Sequence, residues 1–291
     1  MTGAVADRPR DVLVSGHVNI DRFLSVEEFP PADRTVPVLG HRVELGGTAT
    51  TIARVASRLG VATGIVARVG DGFPEEFVER LRKESVDLRG LERVKGVPTP
   101  TCYIVEEDDR TQRTLIDQGT MAHTNSARVP ISILREYSWV HLTTADPAFQ
   151  LRLKAAARER GLRVAADPAQ EIHYRWDRAS FRRLLDGSEI LFGNRSEIER
   201  AEQLARVSRP EDLLEFVPLV VRTEGRHGAS AFSRAGRVHV KAARHRRLRS
   251  LVGAGDAFRG GFYAGWFAGE TLSHCLTAGT RAAAHWIEGR R

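Results

Sequence analysis

The sequence predicts an α/β fold of three layers, a mainly parallel central sheet covered by helices on both faces, with a small second sheet projecting from it. Short apolar runs alternate with amphipathic segments along most of the 291 residues, and strands alternating with helices build parallel sheets buried on both sides. Two stretches, 22–44 and 100–118, break that alternation with segments of period two, such as Thr101-Cys102-Tyr103-Ile104-Val105 and Arg113-Thr114-Leu115-Ile116. A small projecting sheet needs something to cover, and a substrate cleft is the natural candidate.

Taken in order, Val12-Leu13-Val14-Ser15 is an apolar run ending at Gly16, as buried parallel strands often do. Residues 48–60 place Ile52, Val55, Ala56 and Leu59 at helical spacing, with Gly60 as the C-cap. A strand at 62–69, the turn Gly70-Asp71-Gly72 and a charged helix from Pro74 to about Ser85 follow. Glu106-Glu107-Asp108-Asp109-Arg110 reads as a polar hairpin turn between the two alternating segments. Further on, 138–143, 162–166, 189–192 and 218–222 read as strands separated by helical segments rich in Leu, Ala and Arg. No repeat, low-complexity tract or flexible linker interrupts the chain, so a single domain over 1–291 is expected, with lid strands from about 18–46 and 99–118.

Composition narrows the function. A hydrophobic fraction of 42% and a charged fraction of 28% are those of an ordinary globular protein. No run approaches the roughly 18 apolar residues of a membrane span. The opening Met1-Thr2-Gly3-Ala4-Val5-Ala6-Asp7-Arg8 lacks the apolar core of a secretory leader. Cys102 and Cys275 are too few for a disulfide framework or a cysteine metal site, and a cytoplasmic enzyme is the expectation. The net charge of +7 peaks at Arg244-His245-Arg246-Arg247-Leu248-Arg249. This cluster fits a solvated strand edge or a phosphate-rich small ligand better than nucleic acid, because no aromatic residues interleave with it.

Directly after that cluster comes Leu251-Val252-Gly253-Ala254-Gly255-Asp256-Ala257-Phe258. Gly253 and Gly255 allow successive N–H groups to point at one spot, and the start of a helix favours an anion there. A carboxylate beside a phosphate repels it unless it has work to do, and accepting the proton of an attacking hydroxyl is such work. The same residues also suit an ordinary turn with a helix N-cap.

Other motifs bear on that choice. Gly16 to Asp21 with Asn19, Gly46-Gly47 followed by Ala53 and Arg58-Leu59-Gly60, Val69-Gly70-Asp71-Gly72-Phe73, Asp167-Pro168, Asn194-Arg195-Ser196-Glu197 and Thr223-Glu224-Gly225-Arg226-His227-Gly228 precede Gly253 to Asp256 in that order. In this order and at these separations they resemble the ribokinase-like (PfkB-type) sugar and nucleoside kinases over nearly the whole chain. Asp146-Pro147-Ala148-Phe149, Asp167-Pro168-Ala169-Gln170 and the run from Gln118-Gly119 to His123 look most like the archaeal-type nucleoside kinases of that group.

The resemblance implies a ribokinase-like fold and a kinase using ATP and Mg²⁺. Asp256 would be the general base, with the N–H groups of Gly253, Ala254 and Gly255 stabilising the transferred phosphoryl. Asn19, Asp21, Gly46, Gly47, Thr51 and Gln118 would hold the acceptor; a loop acid at the surface is the plainer reading of Asp21. Asn194, Thr223, Gly225 and Gly228 would contact the nucleotide. Asn194 and Glu197, three apart, would reach the metal through water, although the same spacing makes a helix capping box. A homodimer through the lid sheets is a further implication, with no nucleic acid or membrane partner.

Departures from the family pattern set further expectations. Ser250-Leu251-Val252 stands where many members carry Asp-Thr-Thr or Asp-Pro-Thr, so no monovalent cation is expected to be required, with Arg247 or Arg249 supplying positive charge. Thr51 replaces the usual Asn and alters the acceptor pocket. The end at Arg291 leaves little closing segment behind the nucleotide base, which points to weak selectivity for the donor's base. The expected reaction moves the γ-phosphate of ATP to a primary hydroxyl of a nucleoside or related ribosyl compound. The alternatives are a sugar or sugar-phosphate kinase (ribose, ribose 1-phosphate, fructose 6-phosphate) and a non-catalytic nucleotide- or sugar-binding regulatory protein.

Overall fold

The computed structural model describes residues 9–107 and 111–289. Met1 to Arg8, the turn residues Asp108, Asp109 and Arg110, and the terminal Arg290 and Arg291 lie outside them. In chain order, β1 (Arg10–Ser15) enters the core, β2 (Asn19–Ser25) and β3 (Gly40–Gly46) leave it, and α1 (Thr48–Arg58) and β4 (Thr63–Asp71) return. Next come α2 (Glu75–Lys83), β5 (Asp87–Pro98), β6 (Thr101–Glu106) and β7 (Gln112–Asp117). The second half runs α3 (Ile131–Leu134), β8 (Tyr137–Leu142), α4 (Pro147–Arg158), β9 (Arg163–Ala166), α5 (Arg178–Leu185) and β10 (Ile190–Asn194). It closes with α6 (Arg195–Ala205), β11 (Leu219–Thr223), β12 (Ala229–Ser233), β13 (Gly236–Val240), α7 (Ala254–Phe267) and α8 (Leu272–Ile287).

Nine strands form the main sheet in the order β13-β12-β11-β10-β9-β8-β1-β4-β5, and four form the lid in the order β3-β2-β6-β7. The main sheet is parallel except for β12, which pairs antiparallel with both β11 and β13 at one edge. The chain winds outward from β1 in both directions, so a crevice opens at the carboxyl ends of β1 and β8, where ligands bind in open α/β sheets. The lid leaves the body at that point.

Strand alternation sorts the core into two layers. Val12, Val14, Ile65 and Phe192 pack against Ile52, Phe258 and Phe262 on one face; Leu13, Val140, Leu142 and Val164 meet Phe149, Phe181 and Ile198 on the other. The first helix ends in a Schellman motif, with the Gly60 N–H on the Ser57 carbonyl at 2.9 Å and the Val61 N–H on Ala56 at 3.1 Å.

Two regions differ from the sequence expectation. Strand β5 mixes Arg, Glu and Lys with two glycines, which hides its period; it lies at the sheet edge, where such charges discourage pairing with another chain. The arginine cluster at 244–249 is not a strand edge but part of an irregular segment after β13.

Candidate active site

The glycine turn opens α7 as an N-terminus without a side-chain cap. Gly253 is the N-cap at φ 77°, in the left-handed region, and Asp256 is the third helical residue rather than the capping one. The first helical bond joins the Ala257 N–H to the Gly253 carbonyl at 2.9 Å. The Ala254 N–H, expected to face the phosphoryl group, instead closes the turn on the Leu251 carbonyl at 3.1 Å. The opening amides left for an anion are therefore those of Gly253, Gly255 and Asp256. The segment before them satisfies itself: the Val252 N–H donates to Ser250 Oγ at 3.2 Å, and Trp286 Nε1–H donates to the Val252 carbonyl at 2.8 Å.

Asp256 is half-buried, and its surroundings push its carboxyl up to about 7. Loss of hydration is the main cause; Arg259 opposes the shift, and the charges of Asp167, Glu197 and Asp21 reinforce it. Those carboxyls and Asp256 therefore share one corner, although Asp21 comes from the lid. The guanidinium that reaches the turn belongs to Arg259, whose Nη1 lies 3.0 Å from the place a Cβ would take on Gly255. Arg249, expected in that role, runs along Gly289 beyond the end of α8. Arg259 is buried and grips Asp167 with two N–H groups, Nε to Oδ2 and Nη2 to Oδ1, the latter at 2.7 Å. Glu197 is 3.7 Å away. Burial alone would raise Asp167, but Arg259 and His141 hold it below the usual carboxylate range. His141 contacts Asp167 through Nε2 at 3.1 Å and the Tyr263 hydroxyl through Nδ1 at 2.6 Å.

Asn194 and Thr223 are direct partners at the ends of β10 and β11. Gly225 begins the turn after β11, and Gly228 leads into β12. Asn194 and Glu197 form a capping box: the Glu197 N–H donates to Asn194 Oδ1 at 2.9 Å, and the Asn194 N–H donates to Glu197 Oε2 at 2.7 Å. Gln170 Nε2–H reaches the other Glu197 oxygen at 3.1 Å. Among the described residues no group of three His, Cys, Asp or Glu could hold a metal directly. With Asn194 Oδ1 and both Glu197 oxygens already accepting hydrogen bonds, a magnesium ion here would keep its waters and meet these residues through them.

On the acceptor side the carboxylate of Asp21 lies over Gly46. The next residue, Gly47, has φ 99°, and a Cβ there would meet the His17 carbonyl oxygen at 2.3 Å. Thr51 is buried in the first turns of α1, directly behind the two glycines. Asn19 donates from Nδ2 to Cys102 Sγ at 3.3 Å. Asn19 Oδ1 and Gln118 Oε1 are buried with no hydrogen-bond partner among the described residues, and buried polar atoms of that kind call for a ligand or water. Gln118 neighbours Tyr174, which in turn neighbours Glu171. Glu171 is buried 3.7 Å from His17 Nε2, and burial pushes its carboxyl up to about 7 while it pushes His17 down to about 3.

The sequence-predicted residues thus fall into two groups, Asn19, Asp21, Gly46, Gly47, Thr51 and Gln118 where the lid joins the body and Asn194, Thr223, Gly225 and Gly228 at the ends of β10 and β11 and the turn that follows. Arg259, His141, Glu171 and His17 carried no role in the sequence reading. Arg259 had a legible signal, since it follows Asp256 by three and precedes Tyr263 by four, one helix face.

The family model for pfkB family carbohydrate kinases matches residues 9–290. A nucleoside kinase of Methanothermobacter thermautotrophicus is 31% identical over 281 residues, covering 96% of this chain and 90% of that protein. An ATP-dependent ribose-1-phosphate kinase of Halopiger xanaduensis is 28% identical, covering 91% and 88%. The crystal structure of the Methanocaldococcus jannaschii nucleoside kinase, an archaeal member of the ribokinase family, superposes with a TM-score of 0.88 at 24% identity, covering 96% of this chain and 92% of that one. A regulatory protein without catalysis is therefore set aside. The chain belongs to the pfkB family of carbohydrate kinases, and it is an enzyme, a ribokinase-fold phosphotransferase acting on nucleosides or sugars.

Proposed function

We propose that this enzyme transfers the γ-phosphoryl group of ATP to a primary hydroxyl of a nucleoside or related ribosyl compound. The observation that carries the reading is Asp256, a carboxyl poised near neutrality in the first turn of a helix whose free amides open beside it, with the lid carboxylate Asp21 close enough to act on its charge. Asp256 takes the acceptor's proton as the new O–P bond forms, the bond from the γ-phosphorus to the bridging oxygen breaks, and ADP leaves with that electron pair. The Gly253, Gly255 and Asp256 amides bear the charge on the moving group. Asn19, Asp21 and Gln118 orient the acceptor; Asn194, Thr223 and the Gly225 turn line the donor. Magnesium, held through water by Asn194 and Glu197, would neutralise charge on the phosphates.

The relative that phosphorylates ribose 1-phosphate keeps a second acceptor class in view. Release of ADP against a panel of nucleosides, ribose, ribose 1-phosphate and fructose 6-phosphate separates the two. Nucleosides are expected to turn over fastest, and Asp256→Asn to lower that turnover by roughly a hundredfold to ten-thousandfold. A sugar phosphate as the preferred acceptor would replace the nucleoside reading, and full activity of Asp256→Asn would remove the base.

A further inference from the structure

Arg259 and Tyr263 stand one turn apart on α7, and the main sheet grips both. Arg259 is bound by Asp167, which follows β9; Asp167 is bound by His141 of β8; and His141 is bound by the Tyr263 hydroxyl, which returns the chain of contacts to α7. All four side chains are buried. Phe192 and Phe262 pack around them, so an apolar layer would hold the helix down equally well, and a buried ion pair is often no more stabilising than apolar side chains of its size. What directional bonds add is a fixed rotation and height for the helix. That height is felt at the active turn, because the Arg259 guanidinium lies against the backbone of Gly255. Its charge also opposes Asp21, Asp167, Glu197 and Asp256 where a polyphosphate would add more negative charge.

We propose that Arg259 is a positioning residue for phosphoryl transfer, clamping the first turn of α7 to the ends of β8 and β9 so that the Gly253, Gly255 and Asp256 amides and the Asp256 carboxylate stay aimed at one point. This rests on reading that turn as the phosphotransfer site. It differs from a plain stability role in what its loss disturbs. A displacement near 1 Å at a reacting group is enough to cost about a hundredfold in rate, far less than unfolding requires.

The test pairs Arg259→Met with Asp167→Asn, which removes both partners of the pair so that Asp167 is not left as a carboxylate without its guanidinium. Arg259→Met by itself is expected to melt lower than the native protein. The double variant is expected to melt close to it, with turnover down by about a hundredfold and the acceptor KM within about threefold. Amide hydrogen exchange at Ala254 and Ala257, the hydrogen-bonded amides of the turn, is expected to quicken by about tenfold or more while the rest of α7 is unchanged. In Arg259→Ala, added guanidinium ion is expected to restore part of the turnover, and in Asp256→Asn none. Native-like turnover in the double variant, or unchanged exchange at Ala254 and Ala257, overturns the proposal. If no acceptor in the panel is phosphorylated, the nucleoside reading fails, and the exchange measurement still decides on Arg259.

Discussion

The carboxylate of Asp21 occupies the space a side chain would need on Gly46: a Cβ built there meets Asp21 Oδ2 at 2.0 Å. Gly46 pairs with Asn19 across β2 and β3, so the glycine and the two polar residues of the acceptor pocket are held by one ladder. Gly46→Ala forces the Asp21 carboxylate aside, and misplaced packing of this kind costs about 1–3 kcal/mol. The acceptor KM is expected to rise by about tenfold or more, with the KM for ATP little changed. Steady-state kinetics with each substrate varied in turn checks this; equal rises in both constants would mean a general loss of structure.

Asp256 can accept a proton only when ionised. Its folded value of about 7 lies above the ordinary 3.8, so kcat/KM is expected to climb as pH rises through about 7 and to level off above it. Glu171 is also pushed up to about 7, so Glu171→Gln serves as the control and should keep the same limb. Because the folded value is raised, stability drawn from the protonated form is lost as pH rises from about 4 to 7. Asp256→Asn should therefore melt above the native protein at pH 8 and not at pH 4.

No monovalent cation is expected to be needed. The Val252 carbonyl already takes the Trp286 indole N–H, and Ser250 Oγ takes the Val252 N–H. Turnover should differ by less than about twofold between buffers containing potassium and tetramethylammonium, since the Val252 carbonyl and Ser250 Oγ already have partners. Strong activation by potassium would contradict it.

A homodimer through the outer face of the lid is the expectation. Val43, Arg22, Tyr103 and Leu115 are successive partners across β3, β2, β6 and β7, which makes them one row on the face opposite Asp21. Leu115 is 68% exposed and Val43 44%, and apolar side chains gathered this way mark an interaction surface. Light scattering is expected to give twice the chain mass of 32.3 kDa. Leu115→Glu should halve it; a native protein of single-chain mass removes the dimer.

The parallel sheet and the lid were legible because their hydrophobic periods differ, continuous in β1, β8 and β10 and alternating in β6 and β7. Strand β5 was not, because its charges suit an edge and leave no period to read. At the site, glycines and carboxylates announced themselves by spacing, whereas the role of Ala254 could not be read: whether its N–H faces a ligand or the Leu251 carbonyl depends on the turn's closure. The partnership of Arg259 with Asp167 spans 92 residues of sequence, and nothing local to either residue names the other.

The pairing of Asn194 with Thr223 has a consequence of a different kind. Neighbouring strands lie about 4.8 Å apart because backbone hydrogen bonds set that distance. Two groups proposed to line the donor therefore stand on a ruler whose divisions no side-chain substitution can alter. Changes elsewhere in the enzyme can retune which acceptor enters, while the gauge against which the donor is measured stays constant.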